Sequence, residues 1–221
     1  MEAVVKVGGS LAKDPDILER LCQELSLLAK TYRILIVPGG GEFADTARKF
    51  DEIYSLSKMV AHKMAILAMD QYGLLLSDIA PDSYVSYSLK EISYSAGGML
   101  PIFLPSRFMF REDPLEHSWN VTSDTITAYI AGLLHAKKLI LVTSVDGIFS
   151  EDPEKNLDAT LIEELPAKKL LDWNKRTSVD KAVPKILLQA RLDCYVVNGK
   201  YPERIKLILE NEKTICTHIT V

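Results

Sequence analysis

The sequence predicts an α/β protein built on a mostly parallel β-sheet with helices on both faces. Short apolar runs, AVVKV (3–7), RILIV (33–37), LILVT (139–143) and CYVV (194–197), alternate with stretches whose apolar residues recur at helical spacing. Repeated strand–turn–helix units close by right-handed crossovers, which make neighbouring strands parallel. Glycine turns follow the first two runs. In open α/β sheets, ligands bind at the carboxyl ends of strands.

The elements follow in order. After the strand at 3–7 come Gly8-Gly9-Ser10, then Asp14 as N-cap and Pro15 at the first helical position. Leu18, Leu21, Cys22, Leu25 and Leu28 give that helix one buried face. The strand at 33–37 ends in Pro38-Gly39-Gly40-Gly41, and a helix is expected over 42–50. Residues 56–80 carry a long helical pattern in which Met59, Met64 and Met69 read as core. A short strand at 100–104 is bounded by prolines. A helix over 123–134 is capped by Thr122 or Ser123, and the strand at 139–143 turns out through Val145-Asp146-Gly147-Ile148. Residues 150–180 are polar and proline-punctuated, with a short helix near 165–173. A helix over 184–191, the strand at 194–197 and a Pro202-started helix follow. Alternation over 214–221 predicts an edge strand.

A chain of 221 residues favours one compact domain or two closely joined lobes. With 48% hydrophobic and 25% charged residues, the composition is that of a globular protein. The net charge of −4 gives no bulk attraction for nucleic acid or anionic membrane, so a phosphate site has to be built locally. Cys22, Cys194 and Cys216 are odd in number and without Cys-x-x-Cys spacing, which fits a reducing compartment. The first strand begins at residue 3, and no apolar run approaches the ~20 residues that span a bilayer. The expected location is the cytoplasm.

Four places carry candidate chemistry. In Lys6-Val7-Gly8-Gly9-Ser10, two glycines let backbone N–H groups approach a phosphate, and a lysine adds a point charge. The alternative is a plain strand-to-helix turn. Gly39-Gly40-Gly41 opens a helix as an anion nest would, or serves as a hinge. Asp124 and Asp146-Gly147 read alone as a helix-cap residue and a turn. His117 and Trp119 line a ligand or pack in the core, and Asp70, inside an apolar helix, needs a partner or a ligand.

In combination these motifs resemble the amino-acid-kinase superfamily. The order is Lys6-x-Gly8-Gly9-Ser10, Pro38-Gly39-Gly40-Gly41, Thr122-Ser123-Asp124 before Ala128-x-x-Ala131, and Val145-Asp146-Gly147-Ile148-Phe149. The resemblance spans nearly the whole chain and implies a three-layer α/β/α sandwich. It implies an acceptor lobe at about 1–120 and a nucleotide lobe at about 121–221, with ATP and Mg²⁺ as donor and cofactor. A homo-oligomer is the implied assembly. By motif, Lys6 stabilises the transferring phosphoryl group and Asp124 orients the lysines. Gly8, Gly9 and Ser10 hold the terminal phosphates, and Thr143, Asp146, Gly147 and Phe149 lie beside the nucleotide. Gly39, Gly40 and Gly41 form the acceptor loop, which Thr122 joins.

The family's second lysine, in Gly-Gly-Met-x-x-Lys, is replaced: Ala182 stands at its position, with Lys181 and Lys185 nearby. Val179-Asp180 is closer to the Met-Asp of the uridylate kinases, which favours an acceptor that already bears a phosphate. A narrower resemblance is to the kinases of methanofuran biosynthesis. It rests on His117-Ser118-Trp119-x-x-Thr122-Ser123-Asp124, Pro38-Gly39-Gly40-Gly41-Glu42-Phe43-Ala44, His62-Lys63-x-Ala65-Ile66 and Val196-Val197-Asn198-Gly199-x-x-Pro202-Glu203-Arg204. These enzymes convert [5-(aminomethyl)furan-3-yl]methyl phosphate to its diphosphate. On that reading Asp70 pairs with the substrate ammonium, and Trp119 or His117 flanks the furan ring. The alternatives are a uridylate- or isopentenyl-phosphate-type kinase, and a storage protein of this fold that binds nucleotide and oxyanion without turnover.

Overall fold

The computed structural model describes residues 1–94, 98–153, 155, 156, 158–173 and 177–221. In the first half, β1 (Ala3–Val7), a 3₁₀ turn (Gly9–Lys13), α1 (Pro15–Ala29), β2 (Ile34–Pro38), α2 (Gly41–Tyr54) and α3 (Lys58–Ile79) are followed by β3 (Ser83–Ser86), α4 (Leu89–Tyr94), β4 (Leu100–Phe103) and α5 (Ser106–Glu112). The second half runs α6 (Ser123–Leu133), β5 (Lys138–Thr143), β6 (Ile148–Phe149), β7 (Leu161–Ile162), β8 (Glu164–Pro166), α7 (Ala167–Leu171), α8 (Val183–Ala190), β9 (Cys194–Asn198), α9 (Glu203–Glu210) and β10 (Thr217–Thr220).

One sheet of eight strands runs β3-β4-β2-β1-β5-β9-β10-β8, and β6 pairs with β7 in a separate hairpin. From β3 to β9 every neighbour is parallel. β10 is antiparallel to β9 and parallel to β8. The alternating stretch near the C-terminus is therefore an inner strand. The edge is β8, whose three residues ending in Pro166 are too short to read as a strand. β3, α4 and α5 are additions to the predicted elements.

β1 lies at the centre, with Lys6 level with Val37 on one side and Leu141 on the other. Its residues feed two cores alternately: Val4 joins the core beneath α6 and α8, while Ala3, Val5 and Val7 join the core beneath α1 and α9. Strand pleating requires these cores to lie on opposite faces, which is the three-layer α/β/α arrangement. The same pleat puts Lys6, at the carboxyl end of β1, on the α6 side with Val4.

α1 forms as its sequence dictates: Asp14 accepts from the Ile17 N–H at 3.1 Å and Pro15 opens the helix. Leu18, Leu21 and Leu25 are at most 2% exposed, and burying each is worth about 1.5–3 kcal/mol as an upper bound. Of the helical methionines, Met69 is core as expected, but Met59 is 48% exposed on the outer side of α3.

Candidate active site

The two glycine turns meet at the carboxyl ends of β1 and β2. The Gly39 N–H donates to the Val7 carbonyl at 2.8 Å, and the Gly8 N–H donates to the Val142 carbonyl at 2.8 Å, so each turn is stitched to the neighbouring strand. A Cβ on Gly9 would lie 2.1 Å from Gly41 N, so only glycine permits this approach. Gly41 takes a left-handed φ of +55°. The first-turn N–H groups of α2 have no acceptors within their own helix and remain available to an anion.

A cavity of about 270 Å³ opens over these turns. Its floor is Gly8, Gly9, Ser10, Gly40 and Gly41, with Lys6 and Lys13 as cations and Thr122 and Ser123 beside them. Lys6 Nζ lies 2.7 Å from Asp124 Oδ1, with side chains 12% and 8% exposed. Among the described residues, that oxygen has no hydrogen-bond partner besides the ammonium. Thr122 caps α6, its Oγ1 accepting from the Asp124 N–H at 3.3 Å. Asp180 in turn accepts from both the N–H and the Oγ1 of Thr122, at 3.0 and 2.8 Å.

Lys13 closes the 3₁₀ turn that begins at Gly9 and lines the cavity. It was not among the residues expected here. Lys181 instead lines a separate hollow of about 90 Å³ with Leu170 and Trp173. Lys185 is exposed on α8. Neither reaches the glycine turns.

One wall is apolar, made by Ala65, Ile66 and Met69 of α3 with Val121 and Ile126. The face of α2 carrying Glu42, Asp45 and Arg48 adds a charged lining. Trp119 closes the outer end. Its Nε1 donates to Asp51 Oδ2 at 2.7 Å, and the Arg48 guanidinium sits 4.7 Å from its ring centroid. His62, 7% exposed, also lines the cavity, and its ring stacks on His117 at 5.0 Å. Burial, then the neighbouring His117, pushes the His62 pKa down, with Asp113 opposing. His117 is not among the residues lining this cavity; it lines a side cavity of about 50 Å³ together with Trp119 and holds Asp113 at 2.7 Å.

Asp70 is not brought to the cavity. Its carboxylate accepts from the N–H and the hydroxyl of Ser106, the first residue of α5, the former at 3.1 Å. Burial pushes its pKa up, against the Ser106 hydrogen bonds and Arg107. The expected pairing of Asp70 with a substrate ammonium is thus corrected. A buried carboxylate must be satisfied, and this one is satisfied from within the fold.

The remaining predicted residues, Thr143, Asp146, Gly147 and Phe149, lie at and after the end of β5 and are not among the residues lining the cavity. Ser10 Oγ reaches Ser144 Oγ at 3.5 Å. The Thr143 carbonyl accepts from the Gly199 N–H at 2.8 Å. Asp146 accepts from Arg204 at 2.5 Å and from Asn198 at 3.3 Å, and the Arg204 guanidinium stacks 4.0 Å over Tyr201. Gly147 packs where a Cβ would meet Thr217 Oγ1 at 2.3 Å, and Phe149 lies in β6. Among the described residues, no three His, Cys, Asp or Glu side chains form a metal cluster, and no helix is long and apolar enough to cross a membrane.

Comparisons with known proteins agree with this geometry. The profile of the amino acid kinase family matches residues 1–198. The [5-(aminomethyl)furan-3-yl]methyl phosphate kinase of Methanocaldococcus jannaschii is 38% identical over 98% of this chain and 96% of its own length. The uridylate kinase of Methanosarcina barkeri is 27% identical over 96% of this chain and 93% of its own length. In fold, the uridylate kinase from Archaeoglobus fulgidus superposes with a TM-score of 0.78 at 22% identity, each chain covered completely.

Proposed function

The chain belongs to the amino acid kinase family, and from that premise we propose that it transfers the γ-phosphoryl group of ATP to a small phosphate monoester. The acceptor is [5-(aminomethyl)furan-3-yl]methyl phosphate and the product its diphosphate, as the likeness to the M. jannaschii kinase suggests. The observation that carries the reading is the contact between two glycine turns beneath a single cavity, with the Lys6–Asp124 pair at its edge. One turn holds an acceptor phosphate while the other holds a donor phosphate, close enough for transfer between them.

In this proposal residues 1–120 form the acceptor lobe and 121–221 the nucleotide lobe. The Gly39-Gly40-Gly41 turn holds the acceptor phosphate through Gly40 and Gly41, with the Gly39 N–H tied to Val7, and the Gly8-Gly9-Ser10 turn holds the terminal phosphates of ATP through Gly9 and Ser10, with the Gly8 N–H tied to Val142. Thr143, Asp146, Gly147 and Phe149 lie along the nucleotide. An oxygen of the acceptor phosphate attacks Pγ, the bond from Pγ to the β,γ-bridging oxygen breaks, and ADP leaves. A phosphate dianion needs no proton removed, so the site requires cations and alignment rather than a general base. Lys6, oriented by Asp124, neutralises charge on the transferring group, and Lys13 takes the place of the family's second lysine. Magnesium, carried by the nucleotide beside Gly8, Gly9 and Ser10, would add to the charge neutralisation that Lys6 and Lys13 supply.

The apolar wall of Ala65, Ile66, Met69 and Val121 accepts a flat ring, with Trp119 and His62 at its end. Glu42 and Asp45, rather than Asp70, are the carboxylates available to an acceptor ammonium. A uridylate kinase is the second reading, favoured by the relatives of that name. Against it, Ala65, Ile66, Met69 and Val121 give the polar edge of a uracil ring no hydrogen-bonding side chain.

We place the protein in the cytoplasm, consistent with three free cysteines, two of them buried. We also propose self-association through the outer face of α3. There Val60, Leu67 and Leu74 recur at a spacing of seven and are 40, 44 and 51% exposed.

Coupled ADP release with ATP and magnesium tests the function. The acceptor panel is the aminomethylfuran phosphate, UMP, isopentenyl phosphate, acetylglutamate, aspartate and no acceptor. Fast turnover on the first alone is expected. Preference for another acceptor replaces the substrate, and silence throughout favours a storage role.

A further inference from the structure

Asp180 makes more hydrogen bonds than any cap requires. Its Oδ2 accepts from Thr122 N at 3.0 Å, Thr122 Oγ1 at 2.8 Å and Thr125 N at 3.1 Å. Its Oδ1 accepts from Thr125 Oγ1 at 2.5 Å, Ala182 N at 3.0 Å and Val183 N at 3.1 Å. A side-chain N-cap ordinarily satisfies one or two N–H groups of one helix. Here a single carboxylate serves the first turns of two, α6 and α8, whose dipoles both favour a negative charge. The α8 cap residue, Ala182, has no side-chain cap of its own.

The polarity of this network matters. A threonine hydroxyl has one proton to donate. Thr122 spends it on Asp180, which leaves a lone pair facing the Asp124 N–H. Thr122 and Ser123 line the cavity, and Asp124 holds Lys6. The chain of contacts therefore runs from Asp180 through Thr122 and Asp124 to Lys6, a residue Asp180 does not touch.

We propose that Asp180 is a positioning residue, locking the first turn of α6 against that of α8 and so holding Lys6 in register with the two glycine turns. The inference rests on the reading of Lys6 and Asp124 as catalytic. Asp180→Asn keeps the side chain's size but turns an amide NH₂ toward donors. Thr125→Val removes one of the six bonds, on the side away from Thr122, and serves as the comparison.

The test is kcat and KM for ATP and acceptor, measured well below each variant's melting temperature, so that all the enzyme is folded. Displacing a reacting group by about 1 Å can cost about 100-fold. Asp180→Asn is expected to lose about 30- to 100-fold in kcat with both KM values within about threefold of wild type. Thr125→Val is expected to melt lower with kcat within about threefold. Where Asp180→Asn does not fold, Asp180→Glu carries the test. It keeps the charge but displaces it, and a kcat loss of at least about tenfold is expected. Wild-type kcat in the folded Asp180→Asn or Asp180→Glu enzyme, with only a lower melting temperature, would make Asp180 a structural cap and overturn the proposal. A wild-type enzyme that uses UMP in place of the furan phosphate replaces the acceptor reading alone, and the same variants are then measured with UMP. A wild-type protein silent on every acceptor overturns the kinase reading and this inference together.

Discussion

Replacing Lys6 with methionine separates the two contributions of the Lys6–Asp124 pair. The side chains are 12% and 8% exposed, and among the described residues Asp124 Oδ1 has no other partner. Lys6→Met keeps an unbranched side chain but strands the carboxylate. Breaking one side of a buried pair costs about 3–5 kcal/mol. At about 2–4 °C per kcal/mol for a chain of this size, the melting temperature falls by about 6–20 °C. In Lys6→Met/Asp124→Leu no uncompensated charge remains, so most of that loss is recovered. Activity behaves differently. Losing a preorganised cation at the transferring phosphoryl group costs at least about 100-fold in turnover, and the double variant recovers none of it. Differential scanning fluorimetry and coupled ADP release on the single and double variants read the two quantities. Turnover within about threefold of wild type in Lys6→Met would refute the catalytic assignment. An unchanged melting temperature would refute the burial argument.

Three further perturbations follow. Gly9→Ala places a Cβ 2.1 Å from Gly41 N, so the two turns must part, and turnover is expected to fall at least about tenfold. Near-normal kinetics would show that the loops need not touch. His62 is buried with a depressed pKa, so below its unfolded value of about 6.5 the unfolded chain binds the extra proton. Stability contributed by the neutral imidazole is full above that pH and declines as pH falls toward the folded value. Urea unfolding at pH 7.5 and 5.5 should show this decline, and His62→Asn should reduce it; an equal decline in the variant would contradict it. Leu67→Glu puts a charge in the exposed stripe on α3 and is expected to convert an oligomer to monomers in light scattering. Wild type running as a monomer would end that reading.

The central strands were legible because they are buried on both faces. β1, β2, β5 and β9 read as continuous apolar runs, and Asp14-Pro15 announced α1. β3 was hidden because its SYVS sequence is only partly buried at the sheet's edge, and β8 because three residues give no period. In the site, the glycine turns and the Lys6 and Asp124 motifs were visible because close backbone approach leaves glycines in sequence. Asp70 was rightly read as a charge needing a partner, but that partner, Ser106, is 36 residues away, a pairing made by the fold. Lys13 reaches the cavity only because Gly9–Lys13 winds as a 3₁₀ turn. Asp180 stands beside Lys181 in the altered lysine motif, where sequence gives it no visible partner. Its importance lies in donors from two helices far apart in sequence.

The central claim is that the acceptor atom is a phosphate oxygen, and ³¹P NMR of the reaction with ATP, magnesium and the aminomethylfuran phosphate tests it most directly. Transfer to the monoester gives loss of its signal and growth of the paired, mutually coupled signals of a diphosphate ester, in step with ADP. An unchanged monoester, with ADP accompanied only by inorganic phosphate or with no ADP formed, would contradict it.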